Sequence, residues 1–525
     1  MIKTSFKSWS FFNLYYIIIF GGRDMEFILI ILSSLLFTIP YYLPALFFLS
    51  WFAFIPLIYL VKDYDYNHSF IIALLVGFFN SVLSFYWLYQ PLSSTLKMPI
   101  SFNFFILFLY FLLSALPLAG WVLVNKFLQP EYSYSPFIAA LSWTVLEYLR
   151  FELLNFNPFN YFAYTQSSFA LIVQYASYGG IFIVSFIAVL IASYFVKIYL
   201  EPDWKKALPL LVIFIILAAV PFFIEPVNEA ELSRQSVDLL VSNSDQKDNV
   251  FKKIETEIDN LSALVKNSDS KFIFTPEKSL SFDLIRNEYY RDRFFSLLGN
   301  GEQNFYLQLG AQAAAEGSYN AEIFNSLFLL SGKMEVINRS NQQRNILAGL
   351  NFPYLREITD FLVDYLNFSV KQTNFPDSAA HIKVGGIQYI NLFAEEIFIP
   401  LVSREKIYAQ GQNLIVHSAA EDIIDSPVYS NLSFAAAVYR AAETNTDLIR
   451  AIRGGFSGYI DEWGKIVKKL RIKNGRKTIN LVLQNKESYY QKYPARIINI
   501  ILTVFLFVFL IKIIIIVINK WSSRN

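Results

Sequence analysis

The sequence predicts two structural parts: an α-helical membrane bundle of about eight transmembrane helices, and an α/β domain of layered strands and helices. Of the 525 residues 55% are hydrophobic, and a mean hydropathy of +0.39 is too high for a soluble chain of this length. Apolar runs of about 18 or more residues are typical of membrane helices. Residues 232–300 are instead rich in charged side chains. Short strand-like runs alternate with helical stretches from there to about residue 490, which favours α/β layers.

Seven predicted spans precede the polar region and an eighth follows it. They lie at 26–41, 44–61, 69–91, 101–126, 134–151, 176–199, 207–224 and 496–519. The spans divide the chain into a bundle at 25–228, an extramembrane domain at 229–490 and a C-terminal membrane helix at 491–525. Residues 1–24 are expected to be an upstream extension, because Met25 begins a more natural start. The first apolar run is too long for a removable signal peptide.

Basic residues cluster after the even-numbered spans. They are Lys62, Lys126, Lys197, Lys205, Lys206, Lys520 and Arg524. The positive-inside rule places these ends in the cytoplasm, and the domain 229–490 is then expected on the other side of the membrane. Lys97 and Arg150 lie on that other side and are outnumbered.

The composition excludes several classes of site. The chain has no cysteine, so disulfides, thiolate zinc sites and cysteine catalysis are ruled out. His68, His381 and His417 are far apart and lack ligand spacing, so we expect no metal site. A net charge of +2 argues against a nucleic-acid partner.

Residues 150–178 are too polar to cross a membrane simply. The segment includes Arg150, Glu152, Asn157 and Gln166. Polar groups at membrane depth usually line a cavity. The alternative is a loop on the outer face whose aromatic residues anchor it at the interface.

The region 232–490 alternates strand-like and helical stretches. Strands are predicted at SVDLLVSN, KFIFTPE, NFYLQLGAQ, SLFLLSGK, IKVGGIQYI, NLIVHSAA, DLIRAIRG and FSGYIDEWG, and helices near 250–266, 286–298, 354–366, 396–408 and 431–444. Glu277 closes the second of these strands. A carboxylate at the carboxyl end of a buried strand can act as a general base, and the alternative is a structural N-cap.

Several motifs in the first half of the chain coincide. The first motif lies at residues 77–87. The next comprises Trp143 and Glu147-Tyr-Leu-Arg150, and it is followed by Asn157-Pro-Phe-Asn160, Tyr164-Thr-Gln166 and Gln174-Tyr-Ala-Ser-Tyr-Gly-Gly180. The pattern continues in the polar region 232–490 with five further segments: Thr275-Pro-Glu277, residues 319–326, Tyr439-Arg-Ala-Ala-Glu443, Arg453-Gly-Gly-Phe-Ser457 and Asp461-Glu-Trp-Gly464. Together these motifs resemble the apolipoprotein N-acyltransferase family from about residue 26 to the C-terminus.

The resemblance implies a fold, a location and a reaction. The fold is a membrane bundle carrying a nitrilase-like (carbon–nitrogen hydrolase) α/β sandwich on the periplasmic side of the bacterial inner membrane. Such enzymes use a Glu–Lys–Cys triad, in which Cys takes an acyl chain from a phospholipid as a thioester. The lipidated N-terminus of a lipoprotein then accepts the chain. Phospholipid and lipoprotein are therefore the implied partners, with no cofactor, and a protein complex is a further candidate partner.

The positions that should carry this chemistry have changed. Glu277 matches the family's base, but Ala394 stands at the nucleophile, and a shifted frame offers Asn391 instead. The Lys position is placed at Gln343, with Arg339 and Gln342 as the alternatives. The resemblance also assigns substrate-binding roles to Glu396, Asn351, Trp143, Glu147 and Arg150.

Two functions follow from these losses. One is a degenerate homologue that binds phospholipid or lipoprotein without catalysis. The other is an active acyltransferase that uses a non-cysteine route. Ser418 and His417 do not supply that route, because adjacent strand residues point to opposite faces. The apolar segment 343–357 is expected to form a gate near Glu277, with packing into the domain's own core as the alternative.

Overall fold

The computed structural model describes most of the chain. The described residues are 22–94, 99–129, 134–154, 157–219, 233–242, 249–299, 304–314, 323–342, 381–400, 413–483 and 487–523. The predicted segment 1–24 lies almost wholly outside them.

Apolar helices build the first part of the chain. They are α1 Gly22–Tyr42, α2 Phe54–Val61, α3 Tyr66–Phe85, α4 Tyr89–Ser94, α5 Ile100–Leu128, α6 Pro136–Leu154, α7 Ala170–Val173, α8 Ala176–Leu200 and α9 Leu208–Ala219. Short 3₁₀ segments at Pro44–Phe52, Tyr86–Leu88, Phe162–Gln166 and Trp204–Ala207 connect some of them.

Within the described residues, six of the predicted spans are helices long and apolar enough to cross a membrane. They are Asp24–Tyr42, Pro44–Val61, Tyr66–Ser93, Ile100–Leu128, Ala176–Leu200 and Arg496–Ser522. The predicted spans 134–151 and 207–224 fall on α6 and α9, which are helical without meeting that standard. Helix α6 contains Glu147, Arg150 and Glu152, and the described part of α9 has only 12 residues. The membrane bundle is confirmed, and the count of eight stays a prediction.

The second part is an α/β sandwich, whose described residues form two six-stranded sheets. The strands are β1 Ser233–Val241, β2 Phe272–Phe274, β3 Tyr306–Ala314, β4 Ile323–Ser331, β5 Val336–Asn341, β6 His381–Val384, β7 Ile387–Phe393, β8 Leu414–Ala420, β9 Asp447–Arg453, β10 Ser457–Ile460, β11 Ile466–Leu470 and β12 Gly475–Leu483. One sheet has the order β12-β1-β2-β3-β4-β5 and the other β11-β10-β9-β8-β7-β6. In both, the strands that carry the site are parallel: β1-β2-β3 and β7-β8-β9.

Helices cover both outer faces of the sandwich. They are α10 Val250–Lys266, α11 Glu288–Leu298 and α12 Pro427–Thr444, and α13 Tyr489–Lys492 leads to the last helix, α14 Arg496–Ser522. Helices α10 and α11 close a core against the first sheet. A separate apolar core fills the space between the sheets. The predicted fold class is therefore confirmed for the domain as well.

Helix α12 joins the sandwich to the bundle. Its residues Val428–Thr444 are all buried, and they share one apolar core with the membrane helices. The Asn431 side-chain amide donates to the carbonyl oxygens of Tyr41 (3.2 Å) and Tyr42 (3.0 Å) at the end of α1. The Tyr439 hydroxyl donates to the Ala163 carbonyl at 2.6 Å.

Glu443 binds the kink of helix α8. Gly180 has a φ of +67°, a value that glycine adopts readily, and it breaks the helix near its start. The N–H of Ile181 after the break donates to Glu443 Oε1 at 2.9 Å. Arg440 lies beside Glu443, with Nη2 2.9 Å from Oε2. The Arg-Ala-x-Glu motif thus attaches the sandwich to the membrane helices.

Candidate functional site

The site lies where strands of the two sheets end side by side. Glu277 follows β2 of the first sheet, and Ala394 and Ala420 end or follow β7 and β8 of the second. The backbone N–H of Ala420 donates to Glu277 Oε1 at 3.2 Å, and this contact joins the two sheets. Carboxyl ends of parallel strands are a common place for reactive groups, and the sequence predicted such a position for Glu277.

Glu277 is buried and held at both carboxylate oxygens. It is only 3% exposed, and Asn325 donates to its Oε2 at 2.6 Å. Burial raises the pKa of Glu277, and the nearby Lys278 and Arg453 charges and these two hydrogen bonds oppose the rise. Gly310 makes this packing possible, because a Cβ there would lie 2.1 Å from the Pro276 carbonyl oxygen. Glu277 is therefore positioned as an acid–base group would be.

Ala394 occupies a strained junction at the end of β7. Its φ of +35° is unusual for a residue with a side chain, and such strain is often found at functional sites. Its carbonyl oxygen lies 2.9 Å from His417 Nε2. Burial, followed by the charge of Arg450, lowers the pKa of His417 well below its usual value, so the neutral ring donates this bond. The methyl group of Ala394 has no lone pair with which to attack.

Asn391, the alternative nucleophile position, lies inside β7, whereas Ala394 follows the end of that strand. The Asn391 amide donates to Ser340 Oγ in the first sheet at 3.3 Å. Ser418 likewise faces the first sheet, where its hydroxyl donates to the Thr275 carbonyl at 3.2 Å. His417 contacts Ala394, so His417 and Ser418 point in opposite directions as the strand register predicted.

Two further carboxylates follow Ala394. Glu396 is fully buried, and its Oε2 accepts the backbone N–H of Phe393 at 3.2 Å. This bond fixes the turn Ala394–Phe398. Glu395 is partly exposed, and burial followed by the charge of Glu277 raises its pKa to about 7. The site therefore contains a carboxyl group that changes charge near neutral pH beside Glu277.

The predicted substrate residues of the bundle line a separate cavity. It measures about 570 Å³, including the space open to the surroundings, and Trp143, Glu147 and Arg150 of α6 form part of its wall. Glu147 Oε1 accepts the N–H of Phe162 at 2.7 Å. Arg150 Nη2 donates to the Asn160 carbonyl at 3.0 Å. Both side chains thus support the segment 157–162. For the polar residues 150–178, the structure favours the interpretation that they line a cavity.

Comparison with known proteins shows what the chain is similar to. Residues 33–194 match the apolipoprotein N-acyltransferase N-terminal domain. The chain is similar to the apolipoprotein N-acyltransferases. The protein of that name from Geobacter metallireducens is 25% identical over 490 residues, covering 89% of this chain and 91% of that protein. The one from Rickettsia typhi is 22% identical over 471 residues, covering 85% and 89%.

The sandwich is also similar to a solved structure of the nitrilase superfamily. Nit3 of Saccharomyces cerevisiae aligns with 51% of this chain and 97% of its own length, at 13% sequence identity and a TM-score of 0.35.

Some positions assigned by the resemblance to N-acyltransferases lie outside the described residues. These are Gln343, Asn351 and the rest of the predicted gate 343–357. Gln342 and Arg339, the alternative positions for the Lys of the triad, lie within the described residues. Gln342 Oε1 accepts from the Asn325 amide at 3.2 Å, and the same amide group binds Glu277. Arg339 turns away, since its Nη2 donates to the Ala314 carbonyl at 3.1 Å. Gln342 is thus linked to Glu277 through Asn325.

Sequence reasoning missed a buried ion pair behind the site. Arg450 Nη2 lies 2.9 Å from Glu421 Oε1, and both side chains are almost inaccessible. Burial raises the pKa of Glu421, and Arg450 opposes the rise. Gly455 leaves room for this pair, because a Cβ there would lie 1.9 Å from Glu421 Oε2. The segment 453–457, which stands where the resemblance predicts Asn-Thr-Gly-Ile-Ser, was the available signal, and it did not reveal the partner at 421.

Lys278 and Arg453 bring positive charge to the rim of the site that contains Glu277 and Ala394. Lys278 has a φ of +51° directly after Glu277. The Arg453 guanidinium donates to the Lys278 carbonyl at 2.8 Å and to Asp422 Oδ2 at 3.0 Å. The rim therefore combines acidic and basic groups beside a position that has no nucleophile.

Proposed function

We propose that this chain is a non-catalytic member of lipoprotein maturation, which binds phospholipid or a lipidated lipoprotein N-terminus. The observation that carries the proposal is Ala394 at the strained end of β7, in a chain without cysteine. A thioester cannot form there, because covalent catalysis needs a nucleophile that is also a good leaving group. The names of the relatives support a role in lipoprotein maturation.

The retained carboxylates suit an amine ligand. Glu277 keeps its position at the end of β2, and Glu395 becomes negative as the pH rises through about 7. A lipidated N-terminus carries an α-amino group, whose ordinary pKa is about 7.7–8.0. Charge-assisted hydrogen bonds from this ammonium group to the two carboxylates would hold the peptide. Glu396 acts in this proposal by fixing the turn that presents Glu395.

The topology belongs to the same proposal. We place the chain in the bacterial inner membrane with eight spans, both termini in the cytoplasm and the domain 229–490 in the periplasm. The distribution of lysines after even-numbered spans supports this orientation. Reporter fusions at residue 300 and at the C-terminus test it. Periplasmic activity of the C-terminal fusion would contradict the eight-span topology.

The decisive experiment asks whether an acyl-enzyme forms. Purified protein is incubated with phosphatidylethanolamine and a diacylated lipopeptide, and its intact mass is measured. We expect no acyl adduct and no N-acylated peptide, with non-covalent retention of the lipopeptide. The variant Glu277→Gln should weaken that retention, whereas Asp292→Asn on the exposed face of α11 should leave it unchanged.

One observation favours an active enzyme as the second candidate. Glu277 retains a buried, hydrogen-bonded carboxylate with a raised pKa, as an acid–base catalyst requires. Under this alternative another side chain near Ala394 would take the acyl group. A stoichiometric acyl mass shift, mapped to a Ser, Thr or Glu of the site, would replace the first proposal by this one.

A further inference from the structure

A second polar site lies inside the membrane bundle, built from residues other than those around Glu277. The cavity between α1, α3, α5 and α6 is lined partly by apolar side chains and partly by polar ones. The polar lining includes Tyr41, Asn80, Trp143, Glu147, Arg150 and Asn160. Ionisable groups in such a location are costly to bury and usually serve a ligand or a pathway.

Arg150 is only partly satisfied in this cavity. Its side chain is 6% exposed, and it makes one hydrogen bond, from Nη2 to the Asn160 carbonyl. Within the described part of the chain, its Nε has no hydrogen-bond partner and its guanidinium forms no ion pair with Glu147 or another carboxylate. A guanidinium has five N–H donors, and a buried cation is normally paired. The Tyr161 ring, 5.5 Å from the guanidinium carbon, supplies only part of the missing interaction.

The surrounding side chains define what could complete the pairing. Apolar groups such as Phe37, Leu118, Leu146 and Phe162 line the rest of the cavity wall. The Glu147 carboxyl group, three residues before Arg150 on α6, lies on the same wall, and its Oε2 has no hydrogen-bond partner among the described residues. A purely anionic ligand would leave this oxygen without a donor, whereas a zwitterion can present its phosphate to Arg150 and its ammonium group to Glu147. The combination of separated charges and apolar wall fits an amphiphile better than a free ion.

We propose that this cavity binds a zwitterionic phospholipid headgroup, with its phosphate on Arg150 and its ammonium group toward Glu147. Arginine is suited to the phosphate because its planar fork can donate two parallel hydrogen bonds. The inference rests on the lipid-binding role proposed above and assigns one lipid to a place other than the Glu277 site. Binding there would also stabilise the segment 157–162, because Arg150 and Glu147 already bind its backbone.

Three small probes separate the sources of phosphate. Delipidated protein in detergent is titrated with dihexanoyl-phosphatidylethanolamine, with dihexanoylglycerol, which lacks the phosphate, and with inorganic phosphate. Binding is followed by native mass spectrometry. We expect the phosphatidylethanolamine to bind with higher affinity than the other two probes.

Arg150→Met should weaken binding of the phospholipid by about tenfold or more, the effect of losing a charge-assisted hydrogen bond to phosphate. It should leave dihexanoylglycerol unaffected, and Arg150→Lys should retain an intermediate affinity. The matched control is Lys197→Met, which removes another cation that donates to a backbone carbonyl of the bundle. Its phospholipid affinity should stay that of the unaltered protein.

Other outcomes overturn the inference. Equal weakening of both lipids by Arg150→Met, together with a lower melting temperature, would assign Arg150 to support of the 157–162 segment alone. Unchanged phospholipid binding in Arg150→Met, or inorganic phosphate binding as tightly as the lipid, would exclude a headgroup site. These readouts do not depend on an acyl adduct, so either proposal can fail while the other stands.

Discussion

Neutralising Glu443 should loosen the attachment of the sandwich to the bundle. Arg440 is 0% exposed and Glu443 is 1% exposed, and Arg440 Nη2 lies 2.9 Å from Glu443 Oε2. In Glu443→Gln the amide oxygen can still accept from Ile181, but the Arg440 charge loses its counter-ion. Removing one partner of a buried pair typically costs about 3–5 kcal/mol. For a chain of 525 residues, whose entropy of unfolding is about 1.1 kcal/mol/K on the usual per-residue scaling, we expect the melting temperature to fall by about 3–5 °C.

Thermal unfolding in detergent, followed by tryptophan fluorescence, measures this cost. The double variant Arg440→Met, Glu443→Gln should recover most of the loss, because it removes both charges from the buried site. Asp292→Asn is the matched control, since the Arg291–Asp292 pair is exposed and such pairs contribute about 0–1 kcal/mol. A shift in Glu443→Gln no larger than in this control would refute the reasoning, as would a double variant less stable than the single one.

Three further changes test the site. Ala394→Cys places a thiol on the strained junction. Intact mass spectrometry should show that an acyl adduct forms slowly with phosphatidylethanolamine. No adduct even after prolonged incubation would mean that the cleft no longer admits the lipid ester. Glu395→Gln should stabilise the protein progressively between pH 4.5 and about 7, because the native state holds the Glu395 proton up to a higher pH than the unfolded chain does. The gain, on the order of 1–3 kcal/mol after allowance for partial exposure, should be absent below pH 4.5, and a gain independent of pH would contradict the assignment. Gly455→Ala should lower stability by about 1–3 kcal/mol by forcing a methyl group against Glu421, whereas Gly120→Ala, which meets nothing within 4 Å, should not; equal melting temperatures would contradict the packing described at Gly455.

Local patterns predicted most of the elements. Helix α10 has the predicted bounds 250–266, because its apolar residues repeat at helical spacing. The predicted strand IKVGGIQYI is instead the hairpin of β6 and β7, and the turn falls at Gly385 and Gly386, which both have positive φ. Strands β5, β11 and β12 were missed, since polar or charged residues interrupt the apolar residues in each of them and much of each strand is exposed.

The site could be predicted only where one motif carries it. Glu277 follows from a Pro-Glu pair at a strand end, and Ala394 from its place before two glutamates. The effect of Glu277 on the pKa of Glu395 depends on two strands in different sheets, more than 100 residues apart, so no local pattern shows it. The same holds for Glu421 with Arg450, which meet only because β8 and β9 are parallel neighbours. Long-range pairing decides these contacts.

The burial of helix α12 has a consequence for handling the protein in the laboratory. Helix α12 belongs to the predicted extramembrane domain 229–490, yet it packs on the second sheet with one side and on the membrane helices with the other. Expressed alone, residues 229–490 would turn that second side toward water. Large exposed apolar surfaces of this kind promote self-association. Intact protein in detergent or lipid is therefore the form in which the ligands of the sandwich can be identified, and a soluble fragment would report mainly on its own aggregation.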